Sequence, residues 1–180
     1  GLDAEILLVD EGSSDTTPAR MRALAAAQPN VRLTRLARNT GIGGALRAGF
    51  DAARGEWLTW IPGDGQIPPE AVIALWQARA LAPMGMTTTV YERRPDPWYR
   101  HAISWTFNAL IRALTGEPTR SGGNYLLRSD LWVAAALPPD DTMMLSTALR
   151  TRVREMGHPI ATRSIPCRPR LAGTSKVLNP

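Results

Sequence analysis

The chain has 180 residues, 44% of them hydrophobic and 21% charged, with a formal net charge of +5. That is the size and composition of one globular domain with a real core, and it excludes a disordered chain. The longest uncharged stretch, residues 80 to 91, is twelve residues and carries Pro83, Gly85 and three threonines, far from the roughly 20 apolar residues that a membrane-spanning helix requires.

In chain order, Ile6 to Val9 is an apolar run that reads as a buried strand, closed by the polar turn Asp10 to Asp15. Thr17 and Pro18 mark a helix start, and Pro29-Asn30 stops that helix. "VRLTRL" alternates as a strand; "ARNTGIGGALRAGFDAARGE" predicts a glycine-rich turn and a helix from about Gly44 to Gly55. "WLTWI" is the next strand, Pro69 opens a helix through about Ala80, and "MTTTVYE" is β-branched enough for a further strand. Beyond Arg94, "DPWYRHAISWTFNALIRALTG" predicts a long amphipathic helix and "SGGNYLLRSDLW" a short strand running into a helix. "DDTMMLSTALRTRVREMG" predicts a helix stopped by Gly157, and "HPIATRSIPCRPR" a late strand.

Strand and helix alternating in this way call for an α/β layer structure with a mostly parallel sheet. Such sheets gather their ligand loops at the carboxyl ends of the strands. "DEGSSD", "RNTGIGG" and "PGDGQ" each follow a predicted strand, so all three are expected on that edge. Asp64 is flanked by Gly63 and Gly65; bare backbone admits a bulky anion, and one carboxylate is enough for a cation that keeps its remaining positions for phosphates and water. By itself a Gly-Asp-Gly is more often an ordinary turn.

Charge is uneven. Residues 1 to 149 hold 14 basic and 15 acidic side chains, net −1, and residues 150 to 180 hold seven basic and one acidic, net +6. All the basic residues but Lys176 are arginine, whose planar fork suits phosphate oxygens, although such a tail also serves as a solvated surface. A nucleic-acid partner is not expected, because neither an aromatic-basic platform nor a zinc pattern accompanies the arginines. "GIGGAL" lacks the third glycine of a dinucleotide fingerprint and follows the second strand. Cys167 is the single cysteine, reads as a strand residue, and favours a reducing, cytoplasmic setting.

Taken in order and spacing, "EILLVDEGSSDTT", "RNTGIGGALRAGFDAARGEWLTWIPGDGQIPPE" and "RLAGTSK" resemble the family 2 glycosyltransferases of the GT-A fold. Within that family they resemble most the polyprenyl-phosphate branch, the dolichol-phosphate mannose synthase type. The resemblance implies a single GT-A glycosyltransferase domain over residues 1–180, a three-layer, Rossmann-like α/β fold, whose family-typical first strand would precede residue 1; the chain is thus expected to be truncated at its N-terminus. It implies an inverting, metal-assisted transfer from a UDP- or GDP-sugar to a polyprenyl (undecaprenyl or dolichyl) phosphate. The setting it implies is cell-envelope biosynthesis by a protein in peripheral contact with the inner face of the cytoplasmic membrane.

Carried over by residue, the resemblance puts Asp10, Glu11, Gly12, Ser13, Asp15, Asn39, Gly41, Gly43 and Lys176 at the nucleotide. Asp64 with Gln66 would hold Mg²⁺ or Mn²⁺. Arg100, with Ser104 one turn on, would face the lipid phosphate, and Arg170 with Ser175 would clamp phosphate. Asp64, Arg100 and Arg170 are the implied catalytic residues. An anionic phosphate nucleophile needs no general base, and His101 and His158 read as structural. Departures are Glu11 for the usual second Asp, Pro62 where the first Asp of D-x-D belongs, and Asn124 where an arginine is usual, with Arg120 as a compensating candidate. Pro62 and Asn124 keep open the alternative of a non-catalytic nucleotide or lipid-phosphate binding module.

Overall fold

The computed structural model describes residues 3–91, 105–106, 109–110, 112–113, 124–139 and 144–166. In chain order the elements are β1 (Ile6–Asp10), α1 (Thr17–Ala27), β2 (Val31–Arg35), α2 (Gly41–Ala52), β3 (Trp57–Thr59), α3 (Glu70–Ala78) with a 3-10 turn over Arg79–Leu81, β4 (Met86–Tyr91), β5 (Tyr125–Arg128), α4 (Ser129–Ala135), α5 (Leu145–Glu155) and β6 (Ile160–Ile165). β1 and β2 form a parallel pair in register from Ile6 opposite Val31 to Asp10 opposite Arg35. β3, β5, β4 and β6 make a four-stranded sheet in that order, with β4 and β6 parallel. The chain divides into two compact units, Gly1–Leu58 with Leu127–Pro159, and Thr59–Leu126 with Ile160–Pro180.

In the first unit α1 and α2 pack on the β1–β2 pair. The approach of α2 is close: a Cβ on Gly49 would stand 3.2 Å from Cγ2 of Val9. β1 reads from its apolar run as fully buried, yet Leu7, Leu8 and Val9 are only half-buried and Ile6 is exposed; a two-stranded sheet gives each strand one paired edge, and that leaves apolar area uncovered. Phe50 of α2 meets Trp132 of α4 edge-on at 5.2 Å, and the Trp132 indole N–H donates to Asp51 at 2.8 Å. Arg47 lies 5.6 Å from the Trp132 ring and donates to the carbonyls of Leu137 and Pro138 at 3.3 and 2.6 Å. Leu131, Ala135, Leu145, Leu149 and Val153 complete that core.

α5 ends where the sequence predicts. Gly157 takes φ +80°, its N–H donates to the Arg154 carbonyl, and the His158 N–H donates to the Val153 carbonyl, so orphan carbonyls of the last turn are satisfied. His158 thereby takes part in a helix stop. α2, in contrast, begins at Gly41 and not near Gly44. Asn39 Oδ1 accepts the Gly41 N–H at 2.8 Å and Gly41 takes φ +73°, so the turn that the glycines suggest is present and leads straight into the helix.

In the second unit α3 packs on β4 and β6. Ala71 and Leu75 of α3 are buried, and Ala71 clusters with Ile67 and Ile165. Arg79 stacks its guanidinium on Trp76 at 3.7 Å. The described residues of the predicted long amphipathic helix have helical backbone, with Trp105 and Leu110 exposed.

Candidate functional site

β1 delivers Asp10 at its carboxyl end, and the turn that follows folds back onto the segment after β2. Gly12 has φ +77°, and a Cβ there would meet the Arg38 backbone at 3.2 and 3.3 Å. Both the left-handed conformation and the close approach require glycine. "DEGSSD" and "RNTGIGG" are therefore brought together within the first unit, as expected for two loops on one strand edge.

Asp10 is the centre of this cluster. Its side chain is fully buried. Oδ1 accepts the Ser13 N–H at 3.0 Å, and the Asp10 carbonyl accepts the Leu36 N–H at 2.8 Å. Arg35 Nε stands 3.1 Å from Oδ2 as an ion pair, yet its N–H is not aligned on that oxygen, which accepts no hydrogen bond. Ser13, through its side chain and its N–H, holds the Asp10 carboxyl below the usual carboxylate range, with the Arg35 charge adding to the effect. The group is an ionised acceptor with one oxygen fixed and the other unsatisfied. Glu11 Oε1 and Thr40 Oγ1 are also buried without hydrogen-bond partners, which adds two polar atoms on these two loops to the Asp10 cluster.

Other predicted residues have local structural work. Asp15 Oδ1 accepts the Thr17 N–H at 2.9 Å, and this bond, followed by the Thr17 side chain, lowers its pKa; Asp15 thus supports the start of α1. Gly43 is buried within α2. A cavity of about 360 Å³ lined by Asp3, Glu5, Asn30, Arg32 and Arg54 lies at the amino ends of β1 and β2, at the other end of these strands from Asp10.

Asp64 and Gln66 belong to the second unit. Asp64 is half-buried and its Oδ1 accepts the Gln66 N–H at 3.1 Å; Gly65 between them has φ +73°. The carboxylate thus pins its own tight turn. Among the described residues no three His, Cys, Asp or Glu side chains form a metal cluster. One carboxylate and one amide fit a hard cation that draws its other ligands from phosphate and water. Pro62, half-buried in the same turn, has no side-chain donor atom.

Asn124 also lies in the second unit and has a structural place. It is 1% exposed, its Nδ2 donates to the Trp60 carbonyl at 2.6 Å, and its own carbonyl accepts from the Thr89 N–H and from the hydroxyls of Thr88 and Thr89. Arg100, Ser104, Arg120, Arg170, Ser175, Lys176, His101 and Cys167 lie outside the described residues. Sequence reasoning passed over Arg35, whose only signal is its place as the last residue of β2, directly opposite Asp10.

A family model described as Glycosyl transferase family 2 matches residues 1–132. The chain belongs to glycosyl transferase family 2. Undecaprenyl-phosphate 4-deoxy-4-formamido-L-arabinose transferase of Enterobacter sp. (strain 638) is 39% identical over 119 residues, 65% of this chain and 36% of the relative. The protein of the same name from Sodalis glossinidius is also 39% identical over 119 residues, 64% of this chain and 36% of the relative. The matched stretch is thus about a third of the length of these relatives.

Solved structures agree on the fold. Glucosyl-3-phosphoglycerate synthase from Mycobacterium tuberculosis, in complex with Mn²⁺, uridine diphosphate and phosphoglyceric acid, superposes with a TM-score of 0.71 at 20% identity over 97% of this chain and 62% of that one. A mannosyltransferase from Pyrobaculum calidifontis in complex with GDP-mannose and Mn²⁺ has a TM-score of 0.65 at 21% identity, over 91% of this chain and 46% of that one. The α/β arrangement expected from the sequence is the GT-A fold. Among the described residues no helix is long and apolar enough to cross a membrane.

Proposed function

We propose that this chain is the donor-binding and catalytic part of an inverting glycosyltransferase that moves a sugar from a UDP- or GDP-sugar to a polyprenyl phosphate. The observation that carries the donor half is the buried, ionised Asp10, fixed by Ser13 and left with an unsatisfied oxygen. A nucleoside presents N–H and O–H groups suited to such an acceptor. The acceptor half is supported by likeness to proteins whose names specify undecaprenyl phosphate.

The lipid phosphate oxygen attacks the anomeric carbon, the bond from that carbon to the diphosphate breaks, and the leaving nucleoside diphosphate takes the electron pair. The phosphate is already ionised near neutral pH, so no proton need be removed and no general base is required. Direct displacement inverts the anomeric centre. Asp64 with Gln66 would hold Mg²⁺ or Mn²⁺, and that cation, when bound, supplies charge neutralisation at the departing diphosphate. Arg100 would steer the lipid phosphate, while Arg170 and Lys176 would bind phosphate oxygens. Glu11, Asn39 and Gly41 would line the nucleotide. The reaction is assigned to the inner face of the cytoplasmic membrane, with the protein in peripheral contact with the bilayer.

A non-catalytic nucleotide or lipid-phosphate binding module is the second reading. Pro62 favours it by removing a carboxylate from the turn, and Asn124 favours it by filling an expected arginine position with a buried structural amide. Incubating the intact protein with UDP- and GDP-sugars, polyprenyl phosphate and Mg²⁺ or Mn²⁺ separates the two. Formation of a sugar-lipid by mass spectrometry supports the transferase; nucleotide binding without sugar-lipid from any donor supports the module.

A further inference from the structure

We propose that Arg35 is a positioning residue of the donor site: its guanidinium stands 3.1 Å from Asp10 Oδ2 without a directed bond and is displaced by an N–H of the incoming nucleobase. This rests on the donor-binding reading of Asp10. Asp10 Oδ2 is out of contact with solvent, and the Arg35 side chain, itself 48% exposed, is its ion-pair partner. The Nε to Oδ2 distance is 3.1 Å, but the guanidinium spends its aligned N–H elsewhere, donating from Nη2 to the Ser13 carbonyl at 3.2 Å. Oδ2 is therefore held by charge without a directed bond.

The backbone beneath the pair is fixed. Arg35 sits opposite Asp10 in the parallel register, the Leu36 N–H donates to the Asp10 carbonyl, and Ser13 locks Oδ1. Oδ2 then has one direction in which to accept, and the long arginine stem is the part free to move. A planar base with one N–H on its edge offers the aligned donor that Arg35 does not. The Arg35 N–H is not aligned on Oδ2, and a charge-assisted N–H···O bond that is aligned is stronger than one that is not. The cost of moving Arg35 then enters the apparent affinity for every donor whose base reads Oδ2.

Calorimetry or NMR titration with uridine and guanosine, which carry no phosphate, isolates the base from arginine's attraction for diphosphate. Arg35→Ala is expected to bind the nucleoside preferred by the wild type about two- to tenfold more tightly. The gain should vanish for the counterpart methylated at the same edge, 3-methyluridine or 1-methylguanosine. Unchanged or weaker binding by Arg35→Ala, or an equal gain for the methylated nucleoside, overturns the proposal. Arg35→Gln, expected to show the same direction, decides the matter if the alanine variant does not fold by circular dichroism. A wild type that binds neither nucleosides nor their diphosphates defeats the donor-site reading, and this inference with it; a wild type that binds them without the Arg35 effect defeats this inference alone.

Discussion

Asn124 donates its side-chain amide to the main-chain carbonyl of Trp60 at 2.6 Å, joining the start of β5 to the residue after β3. The amide is 1% exposed, and its Oδ1 has no partner of its own. Asn124→Ala removes the donor and leaves the Trp60 carbonyl short of a bond, a loss of about 1–3 kcal/mol. Asn124→Arg, which restores the usual family residue, has to bury a cation here and should destabilise more. Urea unfolding of both variants checks this; an arginine variant as stable as wild type would refute a purely structural Asn124.

Gly12 is the second test of geometry. Its φ of +77° and the 3.2 Å approach to Arg38 Cα act together, so Gly12→Ala should cost about 1–2 kcal/mol from the left-handed conformation alone. Backbone displacement at Arg38 should also weaken nucleotide binding. Thermal unfolding and calorimetry read the two effects, and unaltered values in both would place the loop elsewhere.

Much of this was legible in the sequence, and the parts that were not have a physical reason. The apolar run of β1, the alternation of β2, the short "WLTWI" of β3 and the β-branched residues of β4 mark these four strands, because such patterns are local. The start of α2 lies three residues before the expected Gly44, because the turn that the glycines signal, closed by Asn39 on Gly41 with φ +73°, runs directly into the helix. Asn124 could be seen as a departure from the family pattern, but its bond is to a carbonyl 64 positions away, which no local pattern encodes. Arg35 falls by alternation on the face of Val31 and Leu33, and only β-pairing sets it opposite Asp10.

Ala136 carries the opposite sign. It has φ 45° and ψ 44° at the end of α4, the single non-glycine with positive φ among the described residues. Ala136→Gly relieves that conformation and should stabilise by about 0.5–1 kcal/mol after the added unfolded-state entropy is counted. Thermal unfolding gives the answer; a lower melting temperature would contradict the left-handed end.

Acid should weaken the fold through its carboxylates. Glu5 accepts N–H groups from Arg54 and Gly55 and pairs with Arg32 at 2.8 Å. The Arg54 bond, with Arg32 adding to it against partial burial, holds its pKa below the ordinary value, and Asp10, Asp15 and Asp130 are lowered too. A carboxyl depressed in the folded state contributes stability that is present above its unfolded value, about 4, and lost as pH falls through the folded one. Unfolding free energy should therefore drop below pH 4, with Glu5→Gln showing the smaller drop. Parallel curves for the two proteins would remove Glu5 from the account.

Nucleotide binding by Asp64→Asn tests the central claim most directly, because asparagine keeps the acceptor for the Gln66 N–H and removes only the charge. Calorimetric titration of UDP and GDP is carried out with Mn²⁺ and with chelator. The wild type should bind the preferred nucleotide more tightly with metal, and Asp64→Asn should lose that increment, about tenfold or more, while binding without metal stays the same. A variant that keeps the full metal-dependent affinity would contradict the assignment of Asp64 as the cation's carboxylate.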